Sequence, residues 1–288
     1  MLSDDAIQLR PMQAAEVTQL VEWAAKEGWN PGLHDAQAFY ATDADGFLAV
    51  EVNGQFVGGG AIVRHHASFG FMGLFIVRPE FRSQGIGRKL WFARRDLLAS
   101  RLDPAGTIGL DAVEAMRDFY AQGGFVGTSF HLRFELATLP AGKPDASLVP
   151  LSSVPFSQVA DFDRACFTAP RESYLKAWLA LPQSHALASV QQGELRGYAV
   201  LRRAQVGWKI GPLFAADRAT ATKLFQACCQ AAGEGPIYLD VPEANPAAIA
   251  MVEEFGMQPG FRCLRMYRGP IPTVHHERIF GITTLELG

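Results

Sequence analysis

The chain has 288 residues, a formal net charge of −3 and a hydrophobic content of 49%. These values suit a well-packed globular protein of two domains, and they give no general attraction to nucleic acid or to an anionic membrane, so neither is expected as a partner. The N-terminal residues MLSDDAIQLR have no apolar core, and no apolar run approaches the roughly 18 residues that span a bilayer. We therefore expect a cytoplasmic protein.

The cysteines and histidines show no metal-ligand pattern. All four cysteines lie in the second half without a Cys-x-x-Cys spacing, which predicts free, buried thiols. The two histidine pairs, at 65–66 and 275–276, are direct sequence neighbours without a partner at i, i+4 or a Cys beside them. No metal is expected as a cofactor.

Hydrophobic periodicity divides the first half of the chain into short helices and strands. It predicts a strand at 7–9, helices at 14–26 and 36–40, and a strand hairpin at 47–52 and 55–64. A β-branched and aromatic run at 74–77, between Gly73 and Pro79, predicts a buried strand. From Ile86 onward the apolar residues recur with helical spacing.

The turn between that strand and helix, RSQGIGR at 82–88, has the features of a phosphate-binding loop. Its glycines let the backbone approach a ligand closely, and the first N–H groups of the helix favour an anion because they have no intrahelical partner. Arg82 and Arg88 add positive charge suited to a pyrophosphate or a 3′-phosphate. Neither a Walker loop nor a Gly-x-Gly-x-x-Gly fingerprint occurs at this turn.

The strand, the turn and the helix together resemble the GNAT (GCN5-related N-acetyltransferase) superfamily, whose signature is Arg/Gln-x-x-Gly-x-Gly/Ala. The resemblance implies acetyl-CoA as co-substrate. It implies that one stretch of strand backbone pairs with the pantetheine arm and that the turn amides hold the pyrophosphate. The cofactor-binding residues expected on this basis are Phe75, Ile76, Val77, Arg82, Ser83, Gln84, Gly85, Ile86, Gly87 and Arg88.

A second block of the first half carries a candidate catalytic residue. After a short strand at 107–110, a helix from Ala115 ends at glycine and is followed by a strand through residue 136. Tyr120 lies four residues before Gly124-Phe125, where GNAT enzymes often have a tyrosine. The resemblance implies that Tyr120 protonates the departing thiolate, a role open to a phenol at neutral pH. The alternative is an aromatic ring that only packs under the strand.

Prolines, glycines and small residues at 138–148 interrupt the periodicity and predict a boundary between a first domain, 1–138, and a second domain, 149–288. The second half repeats the first, with helices at 159–167 and 174–181, strands at 186–190, 197–203 and 206–213, a helix at 219–232 and a strand at 237–241. The expected fold is α/β, with two tandem GNAT-like domains. In each, a mixed, mostly antiparallel sheet is flanked by helices.

The second copy departs from the GNAT pattern where the chemistry would take place. The turn before its central helix lacks the paired glycines and carries Asp217, whose carboxylate competes with phosphate for the helix amides. Val252 replaces the tyrosine. The whole chain resembles bacterial tandem-GNAT proteins with a degenerate C-terminal domain. We therefore expect no acetyl-CoA in the second domain, which would have a structural role or contribute to the acceptor pocket.

Residues for the acceptor are less clearly marked. Trp29, Asn30, His34 and Asp35 cluster in the loop that usually lines the acceptor side in GNAT enzymes, where an aromatic ring and a carboxylate suit a cation. They equally fit a turn and a helix cap. Asp240 and Glu243 of the second half are further candidates, or they flank a helix start. His65 and His66 precede the turn, and one of them should point inward, where it could relay a proton through water; the alternative is a polar residue at the solvent-exposed end of the strand. No carboxylate lies between Gly70 and Val77 to act as a base.

These observations predict an acetyl-CoA-dependent N-acetyltransferase that transfers the acetyl group to a primary amine of a small molecule by direct attack. Two alternatives stay open. In one, the protein is a catalytically silent acyl-CoA-binding sensor; in the other, it acetylates protein lysines. Either a monomer or a homodimer is compatible with the sequence.

Overall fold

The computed structural model describes residues 6–138 and 145–288. Its first half contains β1 (Ile7–Pro11), α1 (Ala14–Lys26), α2 (Asp35–Thr42), β2 (Phe47–Val52), β3 (Gln55–His66), β4 (Phe69–Val77), α3 (Ile86–Ser100), β5 (Thr107–Val113), α4 (Arg117–Ala121) and β6 (Val126–Leu136). The second half contains β7 (Leu148–Pro150), α5 (Phe156–Cys166), α6 (Glu172–Leu179), β8 (Ser184–Gln191), β9 (Glu194–Arg203), β10 (Trp208–Ala215), α7 (Arg218–Ala232), β11 (Ile237–Pro242), α8 (Pro246–Glu254), β12 (Gln258–Arg268) and β13 (Ile279–Gly281).

The predicted α/β fold is confirmed, and most predicted elements end within a few residues of the observed ones. The largest extension is in β4, which begins at Phe69 because Phe69 and Phe71 are also buried strand residues. Residues 139–144 of the predicted boundary lie outside the described residues, so the division at 138–148 stays a prediction. No helix in the described ranges has the length and apolar character needed to cross a bilayer.

A single mixed sheet runs through both halves, in the order β1-β2-β3-β4-β5-β12-β6-β11-β10-β9-β8-β7, with β13 attached to β10. Two strand pairs are parallel, β4 with β5 and β10 with β11, and the other pairs described are antiparallel. The sheet is therefore mixed and mostly antiparallel, as expected. The two parallel pairs occupy equivalent places in the two halves.

Strands β6 and β12, which follow the last helix of each half, are exchanged between the halves. Strand β12 lies between β5 and β6, with Cys263 opposite Val113 on one side and opposite His131 on the other. Strand β6 in turn pairs with β11 of the second half. Strand β6 is separated from β5, and β12 from β11, by this exchange, which the sequence pattern does not predict.

The hydrophobic core also crosses between the halves. One cluster of buried side chains draws on α1 and α2 from the first half and on α5 and α6 from the second. At its centre the rings of Phe39 and Trp178 stack with centroids 6.1 Å apart. Both side chains are fully buried. The halves are thus joined by shared apolar packing as well as by strand pairing.

We expect a fragment of residues 1–138 not to fold independently. Without β12, the facing edges of β5 and β6 would each present a row of unpaired backbone groups, and the core cluster would lose its partners from the second half. Amide spectra of the fragment alone should show poor dispersion, and addition of residues 139–288 should restore the spectrum of the full chain. A well-dispersed spectrum and cooperative unfolding of the isolated fragment would contradict this prediction.

Candidate active site

A cavity of about 470 Å³ opens where β4 and β5 separate. The two strands pair only from Phe69 opposite Thr107 to Phe71 opposite Gly109, and they diverge beyond that point. A bulge in β4 accompanies the divergence, because the register with β3 shifts between Gly73 and Ile76 and Leu74 has a φ of 49°. The edge of β4 that faces β5 is thereby left without a strand partner along the cavity, while the other edge stays paired with β3.

The predicted phosphate-binding turn lies at the mouth of this cavity. Helix α3 begins after Gly85, whose φ of 84° is a conformation that favours glycine. No side chain caps the start of this helix. Its first amides are open to an anion. The equivalent helix α7 differs, because the Asp217 carboxylate accepts the amide of Thr220 at 2.8 Å. The sequence predicts that Asp217 occupies helix amides in the second half that a phosphate would otherwise bind, and this hydrogen bond is such a contact.

Six of the ten predicted cofactor residues line the cavity, and the other four lie beside it. Phe75, Ile76, Val77, Arg82, Ser83 and Gly87 line it. Gln84, Gly85, Ile86 and Arg88 flank it in the turn and the first turn of α3. The Arg82 Nε donates to the Val77 carbonyl at 2.8 Å, and its guanidinium pairs with Glu27. Arg82 thus fixes the end of β4 to the turn. These positions fit a pantetheine arm along β4 with its phosphates at α3.

Tyr120 lines the cavity from α4, with 8% of its surface exposed and its ring 4.6 Å from that of Trp91. Burial raises the pKa of Tyr120 to about 12, because the phenolate would be poorly solvated there. The phenol therefore holds its proton at neutral pH. Its position beside the split strands suits the predicted acid, whereas a purely packing residue needs no access to a cavity.

In the second half, the corresponding opening between β10 and β11 is filled by the chain itself. The two strands pair from Trp208 to Ile210, and beyond that point β13 pairs with β10, with Leu213 opposite Gly281. The amide of Ile282 donates to the Asp240 carbonyl of β11 at 2.9 Å. Strand β13 thus takes the place that a pantetheine arm would occupy in the first half.

The chain continues from β13 to its end as the C-terminal segment, residues 279–288, which runs between the two halves. It passes so close to Gly73 of β4 and Gly211 of β10 that a side chain at either position would collide with its backbone carbonyls. Arg171 holds it through the Thr283 hydroxyl at 2.8 Å and the Gly288 carbonyl at 3.0 Å. Glycine at these two places is therefore required by close approach.

His65 is the inward-pointing member of the predicted histidine pair, and it contacts this segment. Its Nε2 lies 2.9 Å from the Leu287 carbonyl, and its ring packs edge-on against Phe167 and Tyr174. Burial, with the Arg171 charge nearby, lowers the pKa of His65 to about 4. A neutral His65 anchors the C-terminal segment and does not line the cavity, which argues against a proton relay there.

The C-terminal segment brings Glu286 into the cavity. Met72 of β4 packs with Trp91 on the α3 side, so the adjacent Gly73, and with it the segment, lies on the opposite face of the strand. Glu286 is 3% exposed and accepts a hydrogen bond from the Thr284 hydroxyl. The cavity therefore has Tyr120 on one face of the sheet and a carboxylate on the other.

Three carboxylates line the cavity, and two of them are neutralised by partners. Glu27 pairs with Arg82. Asp111 accepts two hydrogen bonds from Arg265 at 2.8 Å. Burial would raise the pKa of Asp111, but the charges of Arg265 and of a neighbouring histidine outweigh it and lower the pKa to about 2. Glu286 takes part in no ion pair among the described residues, although its negative charge acts on the nearby cations Arg133 and Lys209.

Of the six predicted acceptor residues, only Trp29 lines the cavity, and its carbonyl accepts a hydrogen bond from Arg133 at 2.7 Å. The amide of Asn30 bonds the backbone of Val206, and the His34 ring lies 3.4 Å from the Gln183 side chain. These contacts join the loop to the second half.

The three remaining acidic candidates are also in structural contacts. Asp35 is fully buried and pairs with Arg202 at 2.9 Å, while Asp240 pairs with Arg133 at 2.7 Å. Glu243 accepts the amide of Phe130 at 3.0 Å at the end of β11. Removing one partner of a buried ion pair costs about 3–5 kcal/mol, so substitutions of Asp35 or Asp240 would chiefly affect stability.

Sequence reasoning missed Glu286, Asp111 and Arg94, which all line the cavity. Arg94 had a visible signal, because it lies on the same face of α3 as Gly87 and Trp91 and so puts a charge among apolar positions. Glu286 had none, since its place depends on the path of the C-terminal segment.

The split strands, the open helix amides and the cavity match the architecture of an acyltransferase, and comparisons with known proteins agree. Residues 14–125 match the acetyltransferase (GNAT) family, and residues 159–281 match an acetyltransferase (GNAT) domain. The chain is 27% identical over 282 residues to the holothin acyltransferase of a Pseudoalteromonas species, covering 97% of this chain and 94% of that protein.

Two solved structures share the fold across nearly the whole chain. An acetyltransferase of Pyrococcus horikoshii, described as putative, has a TM-score of 0.85 at 22% identity and covers 100% of this chain and 98% of its own. A tandem GNAT protein from the clavulanic acid pathway has a TM-score of 0.65 at 17% identity and covers 93% and 99%. These structures show the shared fold, and the two family matches, one in each half, show that the chain belongs to the GNAT superfamily as a tandem-domain acyltransferase.

Proposed function

We propose that the chain transfers an acyl group from acyl-CoA to the amine of a small molecule, within the cavity of the first half. The observation that carries this proposal is the pair of groups facing each other through the split sheet, Tyr120 on the α3 side and Glu286 on the other. Tyr120 can give a proton and Glu286 can take one, and they lie on opposite sides of one opening. This arrangement suits a reaction in which acyl-CoA and the amine enter from opposite faces of the sheet.

The proposed reaction is a direct transfer. The amine nitrogen attacks the thioester carbonyl carbon, the C–N bond forms and the C–S bond breaks. Glu286 takes a proton from the amine nitrogen, and Tyr120 gives its proton to the departing sulfur. No covalent enzyme intermediate is needed, because both substrates are held in the same cavity.

The acceptor side of the cavity favours a small molecule. Trp29, Phe261 and Leu285 line the cavity together with Glu286, so apolar side chains share its wall with a carboxylate that forms no ion pair among the described residues. A compact amine with an apolar or aromatic body fits such walls. The named relative acts on holothin, which supports a small-molecule acceptor here and makes holothin a reasonable member of a test panel.

The proposal is tested by coupling acyl-CoA-dependent thiol release to a panel of amines that contains polyamines, amino acids, aminoglycosides, holothin and lysine peptides. Release with one small-molecule class supports it. Release only with lysine peptides would replace it with a protein-modifying enzyme. Acyl-CoA binding by calorimetry without release for any acceptor would favour a sensor.

Tyr120→Phe in the same assay should lower kcat about 10²- to 10⁴-fold and leave acyl-CoA affinity nearly unchanged, because the variant removes the proton donor and keeps the ring. Tyr238→Phe, on β11 away from the cavity, is the matched control. Equal kcat for Tyr120→Phe and the control would remove the acid role from Tyr120.

Glu286→Gln should likewise lower kcat about 10²- to 10⁴-fold. The remaining activity should rise with pH, because a larger fraction of the amine is then neutral without help from a protein base. Glu243→Gln replaces a glutamate outside the cavity and should retain full activity. A Glu286→Gln enzyme with unchanged kcat and an unchanged pH profile would show that another group takes the amine proton.

A further inference from the structure

Arg94 is a buried cation at the inner end of the active-site cavity. It is 0% exposed, and its Nη2 donates to the carbonyls of Ala61 at 2.5 Å and Gly73 at 2.7 Å. Its Nε and Nη1 have no hydrogen-bond acceptor among the described residues. Only one of the three nitrogens is therefore satisfied by the protein.

The charge of Arg94 is also uncompensated. No carboxylate in the described ranges forms an ion pair with it. Burial lowers the pKa of Arg94 only to about 10, so the guanidinium stays charged at neutral pH. A buried, unpaired cation is strongly unfavourable unless a ligand supplies the missing acceptors. The fold makes room for this cation, since a side chain at Gly60 would collide with the guanidinium.

The position of Arg94 shows which part of a ligand could reach it. Gly87, Trp91 and Arg94 line the cavity from one face of α3, in order from the mouth inward. At about 1.5 Å per residue, Arg94 lies about 4–5 Å deeper along the helix than Trp91, the ring that packs against Tyr120. The thioester belongs beside Tyr120, so the group facing Arg94 is the far end of the acyl chain.

The walls between these points are apolar. Met72 and Leu110 line this stretch, and the Phe75 ring lies 5.1 Å from the Arg94 guanidinium carbon. A short hydrocarbon chain that ends in an anion would match both the walls and the cation. An acetyl group would leave the cation without an acceptor.

The geometry points to Arg94 as the binding residue for a terminal carboxylate on the acyl group, which makes the preferred donor a CoA thioester of a short dicarboxylic acid, of malonyl to succinyl length. This inference rests on the proposed function and names its donor class. Either free nitrogen of Arg94, Nε or Nη1, would donate a charge-assisted hydrogen bond to a carboxylate oxygen, while Nη2 stays bonded to its two carbonyls.

The test compares succinyl-CoA with 4-methylpentanoyl-CoA, in which an uncharged isopropyl group replaces the carboxylate at equal size. Dissociation constants from calorimetry on the full chain are expected to favour succinyl-CoA by about 10- to 100-fold, the range of a charged hydrogen bond. Arg94→Met should abolish this preference by weakening succinyl-CoA alone, and Arg94→Lys should keep part of it. The wild-type comparison needs no variant to fold.

Three results of the binding measurements would overturn the inference. They are equal affinities of the two thioesters for the wild type, a preference that survives in Arg94→Met, or an equal loss for both thioesters in Arg94→Met, which would make Arg94 a support for the β4 bulge. Because binding is measured without turnover, the outcome is independent of the transfer reaction. Efficient transfer of acetyl, with no preference for succinyl-CoA, would overturn the donor class and leave the acyltransferase function intact.

Discussion

The antiparallel pairing of β13 with β10 is the contact on which the rest of the molecule depends. It fills the opening of the second half with the chain's own backbone and sets the direction of the C-terminal segment. From there the segment passes Gly211 and Gly73 and carries Glu286 into the opening of the first half. The pairing of β13 with β10 thus closes the opening in the second half and places Glu286 in the opening of the first half.

This arrangement explains why the two halves share so much buried charge. The ion pairs of Asp35 with Arg202 and of Arg133 with Asp240 cross between the halves, while Arg171 and His65 hold the end of the C-terminal segment. Buried ion pairs fix geometry at the cost of desolvation. Here they fix the register of two halves that exchange β6 and β12, and so the position of Glu286 against β4.

The sequence predicted what local patterning controls. The order of helices and strands followed from periodicity, and the open turn at α3 and the capped turn at α7 followed from the glycines and Asp217. Contacts between residues far apart in the sequence could not be predicted in this way. Asp35 has the sequence context of a helix cap or a cation ligand, but its partner Arg202 lies 167 residues away. Strand exchange and the placement of Glu286 are equally non-local, because β-pairing partners leave no local signal.

Calorimetric titration of the full chain with coenzyme A is the most direct measurement of this arrangement. A chain whose second opening is filled by β13 and whose α7 amides are capped by Asp217 should bind one coenzyme A molecule. A stoichiometry of one is therefore expected. Two equivalents bound per chain would show that β13 leaves the second opening, and that would contradict the role given to the C-terminal segment.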